Sequence, residues 1–326
     1  MSYLALNLLV ALAALIFERL VGYPNWLYRA INHPVVWMGA LISILDRFLN
    51  RDNLLTDSRR RKGIFSLFIL VFLVFIIALP ISLFLRSFVG GLLIEAVLAS
   101  SMLAQKSLRD FVEAVGRSLG ESIEKGRTAV SHIVGRDPSQ LDESEVAKAG
   151  VESLAENTAD GVIAPLFWMM LFGLPGAAVY KAINTADSMV GYRSEKYLDF
   201  GWASAKLDDL VNYPASRLCG LLFVATAFLR QKWRGKEAYQ VMMRDAGNHL
   251  SPNAGWPEAA MAGALGLTLG GPRSYEGRAV ELATMGHGRD YLTKTDIKIA
   301  IEFFRWSMTL AAIILAVITL VVLVLV

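Results

Sequence analysis

Acidic side chains gather in one stretch of the chain, on a short apolar scaffold. From Gly150 to Arg217 it includes GVESLAENTADGVIAPLFW, then GLPGAAVYKAINTADSMVGY, then YLDFGWASAKLDDLVNYPASR. With Asp142–Thr158 helical, Glu152, Glu156 and Asp160 follow at i, i+4 and i+8 on one face, Asp160 lying at or just past the helix end. Aligned like charges repel, so the row gains nothing locally. It is either a solvated acidic face or a place for a divalent cation. The apolar run that starts at Gly161 sets these carboxylates at a membrane rim, which favours the cation. Asn184 and Asp187 then lie at i, i+3, and Asp208 and Asp209 are adjacent. Paired aspartates alone are often a helix N-terminus, but beside the first row they extend a constellation. Mg2+ prefers hard oxygen ligands, usually one or two carboxylates with substrate phosphates and waters. The candidate metal ligands are therefore Glu156, Asp160, Asp187, Asp208 and Asp209.

The elements that must carry these groups are membrane helices. Of 326 residues, 55% are hydrophobic and 19% charged, and mean hydropathy is +0.45. These values predict an all-α, polytopic integral membrane protein with broken or re-entrant helices and cytoplasmic helical loops. We read residues 1–326 as one polytopic domain, with 105–160 a cytoplasmic helical segment and 150–217 a motif-rich core. A single cysteine, Cys219, excludes an internal disulfide framework and a cysteine zinc site. The four histidines form no HExxH motif or close pair, and a net charge of +3 gives no ground for a nucleic-acid partner. The partner the composition does require is the lipid bilayer.

Met1–Phe17 carries no charge and lacks the basic start and small-residue cleavage site of a signal peptide, so it reads as a first span. Asn32-His33-Pro34 is either a turn or a ring nitrogen offered to an anion. Seven Lys/Arg in the loop up to Lys62, and seven more from Lys106 to Lys148, place both segments in the cytoplasm and both termini outside. Ile64–Leu85 spans, with a kink expected at Pro80, and a helix returns through Leu92–Ala104 with Glu95 inside it. An intramembrane carboxylate is either functional or an interhelical partner. Gly120-ESIEK-Gly126 has one spacer too many for a phosphate-binding loop, Arg127 in place of the motif's lysine and no preceding strand, and reads as a turn between helices. Asp142 and Glu145 have capping-box spacing. Gly173-Leu-Pro-Gly176 cuts the next apolar run in half. The positive charges of 181–217 favour a re-entrant hairpin there over a full crossing. Ala215–Leu229 is short for a span, and Trp306–Val326 is the last one. Ser251-Pro-Asn-Ala-Gly-Trp-Pro-Glu258 leads into a helix whose N-terminus is either an anion site or an ordinary cap.

With NHPV, AENTADGVIAPLFW, NTADSMVGY, LDD, SPNAGWPEAA and GGPRSYEG in order, nearly the whole chain resembles the adenosylcobinamide-phosphate synthases of cobalamin biosynthesis, the CobD/CbiB family. The resemblance implies an inner-membrane enzyme that joins adenosylcobyric acid to aminopropanol, or its phosphate, through an amide. ATP drives the ligation with Mg2+, and other cobalamin-assembly enzymes are its expected partners. Lys206 stands where the family has arginine before the LDD aspartates, and Pro214-Ala-Ser-Arg217 is spaced differently from the family's stretch. Arg136, Arg193 and Lys206 are candidates for nucleotide or amine-phosphate oxygens, as are Ser251 and Asn253. Glu152, Asn157 and Glu258 are the catalytic candidates. A non-enzymatic transporter or sensor is the rival reading, since Glu95 and a broken helix also suit a midplane transport site.

Overall fold

The computed structural model describes residues 2–51, 55–133, 137–230, 232–271, 273–275, 278–280 and 283–325. Helices α1 (Tyr3–Leu20), α2 (Asn25–Ile31), α3 (Pro34–Leu49), α4 (Thr56–Leu85) and α5 (Gly91–Ser100) come first. Then follow α6 (Gln105–Leu119), α7 (Ile123–Val130) and α8 (Glu143–Thr158), which a π turn (Ala159–Ile163) joins to α9 (Ala164–Val190). After α10 (Trp202–Leu229), α11 (Gly235–Asp245) and α12 (Gly255–Leu265) come four strands, β1 (Leu269–Gly270), β2 (Arg273–Tyr275), β3 (Arg278–Val280) and β4 (Thr284–Met285). They pair antiparallel as β1–β4 and β2–β3, and α13 (Lys294–Leu325) ends the described chain. Among the described residues, four helical segments are long and apolar enough to cross a membrane: α1, α4, the run Glu143–Val190, and α13. The protein is an all-α polytopic membrane protein. Only 22% of the apolar window of α4 is buried, as expected of a helix that is apolar all round and faces lipid.

The chain forms two compact units. The first comprises residues 1–104, 164–212 and 315–326, the second 105–163 and 213–314. In the first, α1 packs on α5 and α9, and α4 on α9. Helix α9 is broken at Gly173, whose φ of 67° and ψ of −155° only glycine adopts without strain. A Cβ on Gly176 would lie 2.4 Å from the carbonyl oxygen of Trp168, eight residues earlier. In an unbroken helix eight residues advance the chain by about 12 Å, so the GLPG segment folds it back on itself. The carbonyl of Leu171, freed by the break, accepts a 3.0 Å hydrogen bond from Asn7 Nδ2. A broken backbone at membrane depth needs such a donor.

Beside this turn, Arg86 donates to both carboxylate oxygens of Glu95 (2.7 and 2.8 Å) and to Asn7 Oδ1 (2.8 Å), while Ser82 Oγ adds a bond to Glu95 (2.7 Å). Glu95 thus fulfils the interhelical reading: it joins α5 to the end of α4 and, through Asn7, to the hairpin. Helix α5 stops at Ser100 rather than Ala104. Ten residues rise about 15 Å, half the hydrocarbon thickness, so α5 supports the turn without crossing.

In the second unit, α6 packs on α7 and α8, and α11 on α12. The capping box at Asp142 and Glu145 is formed, and Gly120–Ser122 makes the turn between α6 and α7. Short strands also occur within this helical fold. Two- and three-residue strands have no period to read from sequence.

Candidate active site

In the first unit the second half of α9 carries Lys181, Asn184 and Asp187 on successive turns, and α10 carries Asp208 and Asn212 at i, i+4. The paired aspartates lie inside α10, not at its start, because α10 runs unbroken from Trp202 through the Ala215–Leu229 stretch. Asp208 is 9% exposed. Its Oδ1 accepts from Asn184 Nδ2 (3.2 Å) and its Oδ2 from Asn212 Nδ2 (2.9 Å). The Tyr180 hydroxyl donates to Asn212 Oδ1 (2.7 Å), which fixes the amide so that its NH2 faces Asp208. Burial pushes the Asp208 carboxyl up to about 6, the two amides oppose the shift, Asp209 adds to it, and Lys181 opposes it. Asp187 lies within electrostatic range of Asp208 and Asp209, so three carboxylates share this end of the unit.

Lys181 also acts on His33, whose imidazole is held below its usual range by burial first and that charge second. His33 Nδ1 accepts from Val35 N–H (3.2 Å) as the N-cap of α3, and its ring meets Tyr23 edge-on at 4.4 Å. The Asn-His-Pro segment is therefore a capped turn. Lys206 reaches Asp209 only at 3.9 Å on an exposed face, and Arg193 lies exposed between α9 and α10.

In the second unit the acidic row continues through the π turn, which carries Asp160 within the helix; such turns are frequent at functional sites. Glu152, 5% exposed, accepts from the backbone N–H of Gly270 at 2.7 Å and so ties α8 to β1. Glu156, Asn157 and Asp160 are half-buried, and Asn157 Nδ2 donates back to Ser153 O (2.9 Å). Ser251 Oγ accepts from the N–H groups of Asn253 and Ala254 (both 3.2 Å), ordering the entry to α12. Asn253 Oδ1 accepts from Ser216 and Arg217. His249 Nδ1 accepts from Ser251 N–H at 2.9 Å, leaving Nε2 facing Glu258 Oε1 at 3.8 Å. Arg136 lies outside the described residues.

Among the described residues no group of three or more His, Cys, Asp or Glu side chains is arranged to hold a metal ion unaided. The reading from residue types missed Tyr180, Lys181, Asn212 and His249. Lys181 carried a usable signal, since it stands one turn before Asn184. The others are recognisable only from their partners.

A polytopic helical membrane protein with polar groups converging beside a broken helix is the class that fold and site define. The profile of the CobD/Cbib protein family matches residues 11–304. A cobalamin biosynthesis protein CobD of a Sinorhizobium species is 48% identical over 318 residues, covering 94% of this chain and 96% of the relative. That of Sinorhizobium fredii is 48% identical over 311 residues (93% and 94%), and that of Rhodobacter capsulatus 49% over 259 (79% and 80%). No solved structure matches. The chain belongs to the CobD/CbiB family, and its role is in cobalamin biosynthesis.

Proposed function

We propose that the chain is an ATP-dependent acid–amine ligase of the inner membrane. It joins adenosylcobyric acid to aminopropanol or its phosphate, giving adenosylcobinamide or its phosphate. The observation that carries this reading is Asp208, a buried carboxylate held by two neutral amides, with Lys181 in range and, among the described residues, no ion pair of its own. A carboxylate is a poor electrophile and must be activated. One oxygen of the corrinoid acid attacks the terminal phosphorus of ATP and ADP leaves. The amine nitrogen then attacks the acyl carbon, phosphate leaves, and the nitrogen gives up a proton.

The donor chemistry fits Mg2+: Asp208, Asp187, Asp209 and Asn184 offer hard oxygens, and the family's ion would be held by some of these. When bound, Mg2+ supplies charge neutralisation on the phosphates. Asn184 and Asn212 fix the plane of Asp208, so no reorganisation is needed at the moment of reaction. Lys181 places a positive charge beside it. In the second unit both carboxylate candidates have protein partners: Glu152 accepts from Gly270 N–H, and Glu258 faces His249 Nε2 at 3.8 Å.

The test is ATP turnover by purified protein with and without the corrinoid acid, with the amide product identified by mass. ATP hydrolysis that depends on both acid and amine, with matching product, supports the ligase. Turnover indifferent to the acid, or corrinoid movement across vesicles without product, would support a transporter instead.

A further inference from the structure

Arg217 is held differently from other arginines of the second unit. Arg244 gives two N–H groups to Asp245 (2.6 and 2.7 Å), and Arg289 gives two to Asp296. Each is a guanidinium answered by a carboxylate. Arg217 is half-buried and answered by neutral groups alone. Its guanidinium lies 3.5 Å from the ring centre of Tyr213 and 4.7 Å from that of Trp256. A single nitrogen, Nη1, serves Asn253 Oδ1 (2.8 Å), Ser216 Oγ (3.0 Å) and Tyr213 O (3.1 Å). Ser216 is 0% exposed and Asn253 5% exposed, so two buried polar side chains are committed to aiming this group. Among the described residues the Nε–Nη2 edge donates to nothing, and no carboxylate lies within ion-pair distance.

That edge is the part of arginine that matches two oxygens of one oxyanion. Ring faces and amide dipoles offset part of the cost of taking the charge out of water, but they supply no negative charge. The guanidinium also sits over Trp256 in the first turn of α12, where the helix dipole is already positive. The geometry points to Arg217 as the receptor for a phosphoryl oxyanion, gripped through Nε and Nη2 while Nη1, Asn253, Ser216 and the two rings keep the fork in place. This rests on the ligase reading for its choice of phosphate. Both ATP and a phosphate ester of the amine present that chemistry.

The experiment measures equilibrium binding of ATP, and separately of aminopropanol phosphate, to the full-length protein in detergent. Wild type is compared with Arg217→Lys and Asn253→Asp, alongside the thermal unfolding midpoint of each. Lysine keeps the charge but cannot grip two oxygens. Aspartate at 253 gives the guanidinium an internal partner without shortening it. Both variants are expected to stay folded and to bind one of the two probes at least ~10-fold more weakly, the affected probe naming the source of the phosphate. Unchanged binding of both probes in both variants overturns the assignment. So does loss of the folded protein in both, which would make Arg217 a structural stack. Binding needs no turnover, so the two readings separate. A wild type that binds through Arg217 but forms no amide refutes the ligase alone. Wild-type ligation with undiminished binding in Arg217→Lys refutes the receptor alone.

Discussion

Two buried carboxylates of the first unit, Glu95 on α5 beside the hairpin turn and Asp208 on α10, solve the problem of burial in opposite ways. Glu95 is 0% exposed and fully matched: a two-point contact from Arg86, a hydroxyl from Ser82, and Asn7 sharing the guanidinium. Asp208 is nearly as buried but receives two amide N–H bonds and, among the described residues, no ion pair. A charge matched in place has nothing left to offer a ligand. A charge held by neutral dipoles is oriented yet still uncompensated. The first arrangement builds scaffold, and the second is the one we propose as a site. Sequence alone offered Asp208 as a candidate metal ligand and left Glu95 open between a functional and an interhelical role.

The largest effect should come from breaking the matched pair. Glu95→Ala leaves Arg86 buried without its partner, which costs about 3–5 kcal/mol, and frees the donors that steady the GLPG turn. The expected outcome is loss of protein from the membrane, read by immunoblot of membrane fractions. The double variant Arg86→Met, Glu95→Leu should recover much of it, because hydrophobic replacement of a whole buried pair is often neutral. Normal abundance of Glu95→Ala would remove the scaffold half of the comparison.

A smaller effect is expected at Tyr180, which acts on Asp208 through Asn212. Tyr180→Phe keeps the ring and deletes the hydroxyl, so the Asn212 amide can rotate. The half-saturating Mg2+ concentration should rise about 3-fold or more with protein abundance unchanged, on the lower side of the ~10–100-fold range for groups that orient metal ligands. Mn2+ binding followed by electron paramagnetic resonance gives the same comparison without turnover. An unaltered midpoint in both assays would show that the amide needs no anchor.

The smallest effect is on stability against pH. Asp208 is pushed from 3.8 up to about 6 in the folded protein, so the folded state binds this proton more tightly than the unfolded chain. Its stabilising contribution is complete below pH 3.8 and is lost as pH rises through about 6. Without Mg2+, the wild-type unfolding midpoint should therefore fall relative to that of Asp208→Asn between pH 4 and pH 7. Parallel curves would mean that Asp208 titrates normally.

Much of the fold was legible because its signals are local. Gly173, Pro175 and Gly176 dictate a backbone break whatever surrounds them, and Asp142 with Glu145 dictates a cap three residues long. The acidic groups were legible by type. Their partners were not: Asn212 belongs with Asp208 by helical spacing, but its tie to Tyr180 is a contact between α10 and α9. Arg217 showed in the sequence only as a shifted arginine, and its lack of a carboxylate is a property of three dimensions. The strands of 269–285 were invisible because they owe their existence to what they pack against.

The central claim is that Asp208 is the working carboxylate of the first unit. Asp208→Asn keeps its shape and removes the charge. ATP-dependent amide formation across a Mg2+ titration, in membranes holding equal amounts of wild-type and variant protein, tests that claim most directly. The account predicts turnover reduced at least ~10-fold, or a Mg2+ midpoint raised by as much, with no loss of protein. Near-normal turnover with an unchanged Mg2+ midpoint would contradict it.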